Sequence, residues 1–110
     1  MLNTNNVTLS GHLAQAPKVF DNRTLFTVAV NKSWRDPETG ERKTAVNFIP
    51  CVAWGKTAER AAKAAQGEGV FLEAELVSKR WEKDGETQYG LDVRVKRFQR
   101  VTAPSMEEQE

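Results

Sequence analysis

The sequence predicts a small all-β barrel of five strands, with one short helix between the third and fourth strands. Three observations support this prediction. Apolar residues alternate with period two in five segments, polar turn sequences separate most of these segments, and the period changes to that of a helix only once. At 110 residues the chain has room for one compact domain. We expect residues 1–101 to form this domain and residues 102–110 to form a short, acidic, disordered tail.

The first three strands are predicted in the first half of the chain. Residues 6–13 alternate between apolar and polar side chains, which is typical of a strand with one face in water. Residues 25–34 form a second strand, and the polar segment 35–43, which contains Pro and Gly, forms a hairpin loop. The third strand covers residues 44–54. Pro50 lies within it and donates no hydrogen bond, which indicates an edge, a bulge or a locally unpaired position.

The helix and the last two strands follow. Four alanines recur at the spacing of one helical face, namely Ala58, Ala61, Ala62 and Ala65. Gly67 is the expected end of this helix. Residues 70–81 and 88–101 alternate again, and Asp84-Gly85 between them predicts a tight hairpin turn. Three strands, one helix and two strands is the order of the OB-fold, a five-stranded Greek-key barrel.

Composition and charge exclude several classes of protein. The net charge is only +1, but all 16 basic and 12 of the 15 acidic residues lie in residues 1–101, which therefore carry +4. The N-terminus lacks the pattern of a signal peptide, and no apolar run approaches the roughly 20 residues that span a bilayer. We therefore expect a cytoplasmic protein that does not bind membranes. One cysteine, Cys51, and one histidine, His12, can form neither a disulfide nor a zinc cage, so no metal or cofactor is expected.

The positions of the aromatic residues are the most informative feature for function. The three tryptophans lie beside basic residues, in Lys32-Ser33-Trp34-Arg35, Trp54-Gly55-Lys56 and Lys79-Arg80-Trp81-Glu82-Lys83. Phe48 lies six residues before Trp54, so both rings face the same side of a regular strand. Rings interleaved with cations suit a surface on which unpaired bases stack while the cations contact phosphates. The competing interpretation is that the tryptophans are core residues and that the neighbouring cations are merely solvated.

Several segments match a known family in order and spacing. They are Asn6-Val7-Thr8-Leu9-Ser10-Gly11-His12-Leu13, Ser33-Trp34-Arg35-Asp36, Thr39-Gly40-Glu41, Val52-Ala53-Trp54-Gly55-Lys56 and Lys79-Arg80-Trp81. Over residues 5–101 the chain resembles the bacterial single-stranded DNA-binding protein family. The resemblance implies an OB-fold that binds and protects single-stranded DNA independently of sequence, in replication, recombination or repair. It also implies a non-enzymatic, nucleoid-associated protein in the cytoplasm.

The resemblance also implies which residues bind DNA. The stacking platform consists of Trp34, Phe48, Trp54 and Trp81. The basic residues that become candidates for phosphate contacts or cation–π support are Lys32, Arg35, Lys43, Lys56, Lys79, Arg80 and Lys83. Phe48 stands where the family often has Trp, and Trp54 where it often has Phe, so both exchanges preserve a π-face. We expect the DNA to lie in a groove across the barrel, with the hairpins at residues 35–43 and 81–88 closing over it.

Three departures from the family bear on its partners. Ile49 and Pro50 replace a His implicated in subunit contacts and an Arg implicated in the DNA face. The family's homotetramer is the expected assembly, with a homodimer as the alternative. The third departure is the ending, because residues 104–110 are acidic but have neither the long linker nor the apolar tip through which relatives recruit repair enzymes. Recruitment through such a tip is therefore not expected.

Two other functions compete with DNA coating. A nuclease could hold Mg²⁺ at Asp36, Glu38 and Glu41, but a turn gives these carboxylates no fixed geometry, and the sequence offers no nucleophile paired with a base. A primosomal-type adapter would use the same fold to bind a helicase or primase. The four aromatic residues favour DNA coating. We expect Cys51 to be a small buried residue and His12 to lie at the surface.

Overall fold

Five strands close into a barrel in the computed structural model, which describes residues 2–104, and a sixth, very short strand extends it. The elements are β1 (Val7–Leu13), β2 (Lys18–Val19), β3 (Arg23–Arg35), β4 (Arg42–Trp54), α1 (Gly55–Ala62), β5 (Glu68–Lys83) and β6 (Glu86–Pro104). The predicted all-β class and OB-fold barrel with one helix are confirmed. The two-residue strand β2 was not predicted, because a segment of this length carries no detectable period.

The barrel closes around the strand order β1-β5-β6-β4-β3, with β3 returning to β1. All of these pairings are antiparallel except the one between β4 and β6, which is parallel. That parallel ladder has only two register pairs, Val52 with Arg94 and Ala53 with Val95. Pro50 pairs with Thr27 of β3 and has no register partner on β6, so the locally unpaired position is the alternative that applies.

One face of each strand supplies the core. The strand residues of the buried apolar cluster are Leu13, Phe26, Val28, Cys51, Ala53, Val70, Leu72, Ala74, Val95 and Phe98. The rings of Phe26 and Phe98 meet edge to face with centroids 5.3 Å apart, a favoured aromatic geometry. Ile49 packs against this core from β4, so it faces the interior of the protomer. The predicted inward alternation of β1 and β5 is correct as far as Leu13 and Ala74.

Helix α1 covers one end of the barrel and is shorter than predicted. Ala58 and Ala61 are buried, and the hydroxyl of Thr24 donates a 2.9 Å hydrogen bond to the carbonyl oxygen of Ala58. The prediction that Ala65 lies on the buried face and that Gly67 ends the helix is wrong. The helix ends five residues before Gly67, and Ala65 is exposed and donates its backbone N–H to the carboxylate of Glu68.

Two hairpins continue past the barrel as exposed arms. The β3–β4 arm turns at residues 36–41, and the β5–β6 arm turns at Asp84 and Gly85, which both have positive φ. In β5, Leu76 follows the inward face of Ala74 but is 41% exposed, because the strand has left the core there. β6 continues to Pro104, three residues past the predicted domain boundary, and residues 105–110 of the predicted tail lie outside the described residues.

A helix that could span a bilayer is absent from the part of the chain that the structure describes.

Candidate nucleic-acid interface

Three of the four predicted stacking rings lie on the outer face of the barrel. Phe48 and Trp54 are six residues apart on β4, which pairs with β3 without a bulge, so their side chains point to the same side. This side is opposite to that of the core residues Cys51 and Ala53. Trp81 lies on the outward face of β5, opposite in direction to buried Ala74. The exposed fractions are 63% for Phe48, 37% for Trp54 and 43% for Trp81.

Trp34 lies on the other face of the β3–β4 arm. It pairs with Lys43, five residues from Phe48, so the strand period turns the two side chains in opposite directions. Its direction is that of the core residues Phe26 and Val28, but it lies beyond the barrel, where this face is open, and it is 41% exposed. The structure therefore divides the predicted platform into three rings on the outer face and one on the reverse of an arm.

Two of the predicted lysines contact the rings beside them. The Nζ of Lys32 lies 5.6 Å from the ring centroid of Trp34, and the Nζ of Lys79 lies 5.4 Å from that of Trp81. Both distances are those of cation–π contacts. Lys79 also pairs with Asp92 at 3.0 Å, so part of its charge is neutralised in the free protein.

The other predicted basic residues divide into two groups. Arg35 and Lys43 hold the β3–β4 turn, because Arg35 Nη1 donates to the carbonyl oxygen of Gly40 at 2.6 Å and Lys43 lies 3.4 Å from Asp36. The backbone N–H of Glu38 donates to Asp36, and this contact, aided by Lys43, lowers the pKa of the Asp36 carboxyl. The remaining three are exposed and form no ion pair with a described residue, namely Lys56, Arg80 and Lys83. Of these, Arg80 points to the reverse side of its arm from Trp81.

Trp54 has two arginine neighbours that the sequence analysis missed. The guanidinium carbon of Arg23 lies 5.7 Å from the ring centroid of Trp54, and that of Arg94 lies 5.5 Å from it. Arg23 also lies 5.1 Å from the ring of Phe20, which is 47% exposed. None of these residues neighbours Trp54 in sequence, and only the strand pairing brings them together. The available signal was the polar alternation that includes Arg94 in the last strand.

A groove of about 250 Å³ lies in the gap where β4 and β6 diverge beyond their two register pairs. Its lining residues are Leu25, Pro50, Cys51, Val52, Lys79, Leu91, Asp92 and Val93. It therefore lies between the β4 rings and the arm that carries Trp81. Its apolar floor suits a base, and its edge carries the ion pair of Lys79 with Asp92, from which the ammonium could turn to a phosphate.

The described residues contain no group of three or more His, Cys, Asp or Glu side chains that could hold a metal ion. Cys51 is buried, and burial raises the pKa of its thiol to about 12, so it has no accessible nucleophilic thiolate near neutral pH.

Comparison with known proteins gives a consistent result. A model of the Single-strand binding protein family matches residues 4–101. A solved Plasmodium falciparum SSB complex with ssDNA is similar with a TM-score of 0.76 and 18% identity, covering 93% of this chain and 96% of that one. A deletion mutant of the single-stranded DNA binding protein from Thermus aquaticus is similar with a TM-score of 0.78 and 23% identity, covering 89% of this chain and 50% of that one. This chain thus spans about half the length of the Thermus protein.

These two likenesses support the barrel fold, and the family match extends over most of the sequence. The chain belongs to the Single-strand binding protein family.

Proposed function

We propose that this protein binds and protects single-stranded DNA independently of sequence, in replication, recombination or repair. The observation that carries the proposal is the exposure of Phe48, Trp54 and Trp81 on the outward face of β4 and of the β5–β6 arm. Burying such rings in the core would stabilise a small β domain, so their exposure calls for a ligand. Membership of the family supports the same ligand class.

Stacking accounts for binding without sequence preference. Each base has a π-face, and stacking one base on an aromatic side chain contributes about 1–3 kcal/mol. Phe48 and Trp54 would take bases along β4, and Trp81 would take one across the groove on the β5–β6 arm. Duplex DNA would be excluded because its bases already stack on each other. The charge of +4 over residues 1–101 adds a moderate, salt-dependent attraction for phosphates.

The position of Trp34 suggests the path of the strand. Because Trp34 faces the reverse of the β3–β4 arm, a strand that contacts both Phe48 and Trp34 would pass around that arm. Lys32 lies over Trp34 and Lys56 follows Trp54, so a phosphate contact is available on each side. On this path the DNA strand bends around the β3–β4 arm, and the β5–β6 arm borders the groove.

We also expect the protein to self-associate, as a homotetramer or alternatively a homodimer. Tyr89 and Leu91 on the reverse face of the β5–β6 arm are 73% and 62% exposed, and a second copy would cover such apolar surface. Sedimentation at several protein concentrations would measure the assembly. A monomer at all concentrations would refute this expectation without affecting DNA binding.

A titration with oligo-dT tests the proposed function directly. Three of the proposed rings are tryptophans, so we expect their fluorescence to fall as bases stack on them, with saturation at a defined ratio of nucleotides to protein. A duplex of the same length should leave the spectrum unchanged at the same concentration. Unaltered fluorescence and no binding at high oligo-dT concentration would refute the proposal.

A further inference from the structure

We propose that the DNA site extends past Trp54 to a further nucleotide position formed by Phe20 and Arg23, with Arg94 holding the phosphate on the other side of Trp54. This inference rests on the proposed function and deepens it. Phe20, Arg23 and Arg94 are not members of the predicted stacking platform, and none of them lies next to a tryptophan in the sequence.

The geometry is an alternating series of rings and guanidinium groups. Arg23 on β3 is the register partner of Trp54 on β4, and Arg94 on β6 is the register partner of Val52 on β4. The two arginines therefore reach Trp54 from the strands on either side of β4. Arg23 lies over both Phe20 and Trp54, at 5.1 and 5.7 Å from their centroids. Arg94 lies 5.5 Å from the centroid of Trp54. The order across the surface is therefore Phe20, Arg23, Trp54 and Arg94.

The charges in this series are not neutralised within the described part of the chain. Neither Arg23 nor Arg94 forms an ion pair there, whereas Arg97 pairs with Glu73 and Arg100 with Glu68. The buried Nε of Arg23 also has no hydrogen-bond acceptor among the described residues. Two unpaired guanidinium groups at one exposed indole form a site for anions with an aromatic surface between them.

A second groove gives the extension room for a base. It has a volume of about 430 Å³ and lies between the β2–β3 turn and α1, with Phe20 and Arg23 in its wall. The methyl groups of Ala58 and Ala62 form part of the opposite wall. The charged side chains of Asp21, Glu59 and Lys63 also line the groove. A groove that combines an exposed ring, methyl groups and a guanidinium in its walls fits a base joined to a phosphate better than it fits a free anion.

DNA binding would move the two guanidinium groups from aromatic rings to phosphates, and no hydrogen bond of the barrel would break. In the free protein each guanidinium lies over a ring. On binding, Arg23 and Arg94 would turn towards adjacent phosphates while bases take their places against Trp54 and Phe20. Arg23 lies beside both Phe20 and Trp54, so its loss should weaken binding at two nucleotide positions. Arg94 lies beside Trp54, so its loss should weaken binding at one.

The test measures oligo-dT affinity at several salt concentrations. For Arg23→Gln and Arg94→Gln we expect the slope of log affinity against log salt to fall by about 0.7 each, the value for one phosphate contact on a single strand. Arg97→Gln is the control, because it also removes one positive charge from β6, but from a guanidinium that is paired with Glu73. It should leave the slope near that of the wild type. Arg23→Lys should keep the slope and lose affinity, because a guanidinium donates two parallel hydrogen bonds to a phosphate and an ammonium contacts it only as a point charge.

The ring is tested separately. Phe20→Leu should reduce affinity about fivefold to 150-fold, the equivalent of one stacked base, and should saturate with a shorter oligonucleotide than the wild type. Phe71→Leu makes the same change on β5 beside β1, across the barrel from β4, and should bind as the wild type does. Thermal melting of each variant separates loss of binding from loss of fold.

The outcomes distinguish the two proposals. If the wild type fails to bind oligo-dT, the proposed function itself is wrong. If the wild type binds and Phe20→Leu, Arg23→Gln and Arg94→Gln retain both its affinity and its salt slope, the extended site is refuted while the platform stands.

Discussion

The indole of Trp81 lies over Gly90 of the neighbouring strand. A Cβ added at Gly90 would lie 3.2 Å from two carbons of that ring and 3.4 Å from the side chain of Lys79. Lys79 in turn lies over the same indole, so the ring is held between a bare backbone and an ammonium group. The missing side chain at position 90 therefore helps to fix the orientation of Trp81 on its arm.

Gly90→Val should displace the Trp81 ring and weaken oligo-dT binding by up to the roughly 1–3 kcal/mol that one stacked base contributes. The arm itself should keep its stability, because valine favours strands more than glycine does. Fluorescence titration measures the first effect and thermal melting the second. Gly90→Ala, which needs a ring shift of only a few tenths of an ångström, should have a smaller effect. Wild-type affinity for Gly90→Val would contradict this account.

Trp54→Ala should weaken oligo-dT binding by about 1–3 kcal/mol and leave the barrel folded. The reason is that Trp54 is 37% exposed and lies outside the buried cluster. Phe98→Ala is the matched comparison, because Phe98 is buried and its truncation should cost about 3–5 kcal/mol of unfolding free energy. Urea denaturation measures both variants. If Trp54→Ala unfolds, the ring has a structural role and the platform loses a member.

Glu68 should make the stability of the barrel fall in acid. It is 3% exposed, and burial alone would raise the pKa of its carboxyl, but the side chain of Arg100 and the backbone N–H of Ala65 together lower that pKa below its ordinary value. A carboxyl whose pKa is lower in the folded state stabilises that state above its unfolded pKa, and the contribution is lost as pH falls through the folded pKa.

The variant Glu68→Gln should therefore be less stable than the wild type near neutral pH, by about 1–3 kcal/mol. It should also lose less stability than the wild type between about pH 6 and about pH 3, because it lacks the titrating group. Chemical denaturation at each pH measures the difference. Parallel stability profiles for the two proteins would show that the contact with Arg100 does not contribute to the acid dependence.

Cys51 should resist alkylation in the native protein. Burial raises the pKa of its thiol to about 12, so at about pH 8 almost no thiolate is present, and the side chain is only 4% exposed. Because it is the only cysteine in the sequence, a mass shift reports on it alone. Iodoacetamide should modify the unfolded protein quickly and the native protein only at the rate of unfolding. Rapid native labelling would place the thiol at the surface.

Gly11→Ala should destabilise the barrel strongly. Strand preference is not the reason, because alanine is at least as favourable as glycine in a strand. A Cβ at this position of β1 would lie 2.3 Å from the carbonyl oxygen of Ala29, which is backbone and cannot turn aside. Such overpacking typically costs about 1–3 kcal/mol. Gly40→Ala is the control, since a Cβ there meets nothing within 4 Å and only its positive φ opposes the change. Equal melting temperatures for Gly11→Ala and the wild type would contradict the close approach.

The sequence predicted the features that depend on local pattern. The five long strands, both hairpins and the shared face of Phe48 and Trp54 follow from period two and turn chemistry, which act over a few residues. The end of α1 was missed, because alanines continue past the helix at positions 64 and 65 while the chain already turns towards Glu68. A run of methyl groups does not mark where a helix stops.

The parts that could not be predicted depend on pairing between distant strands. The direction of Trp34 relative to Phe48 is set by the register across the β3–β4 turn. The contact of Arg94 with Trp54 exists only because β6 runs parallel to β4 for two residue pairs. Neighbours in sequence thus identified the lysines beside Trp34 and Trp81 but not the arginines beside Trp54.

The ladder of two pairs between β4 and β6 has a consequence for dynamics. With the two-pair ladder between β1 and β3, it is one of the two shortest links in the barrel wall, and it lies directly beside Trp54 and Arg94. Brief separation of these two strands would break few contacts, so amide protons there should exchange with solvent earlier than those of the long β3–β4 ladder. A nucleic acid strand bound across both β4 and β6 would hold them together, so slower exchange at residues 52–53 and 94–95 would report binding independently of tryptophan fluorescence.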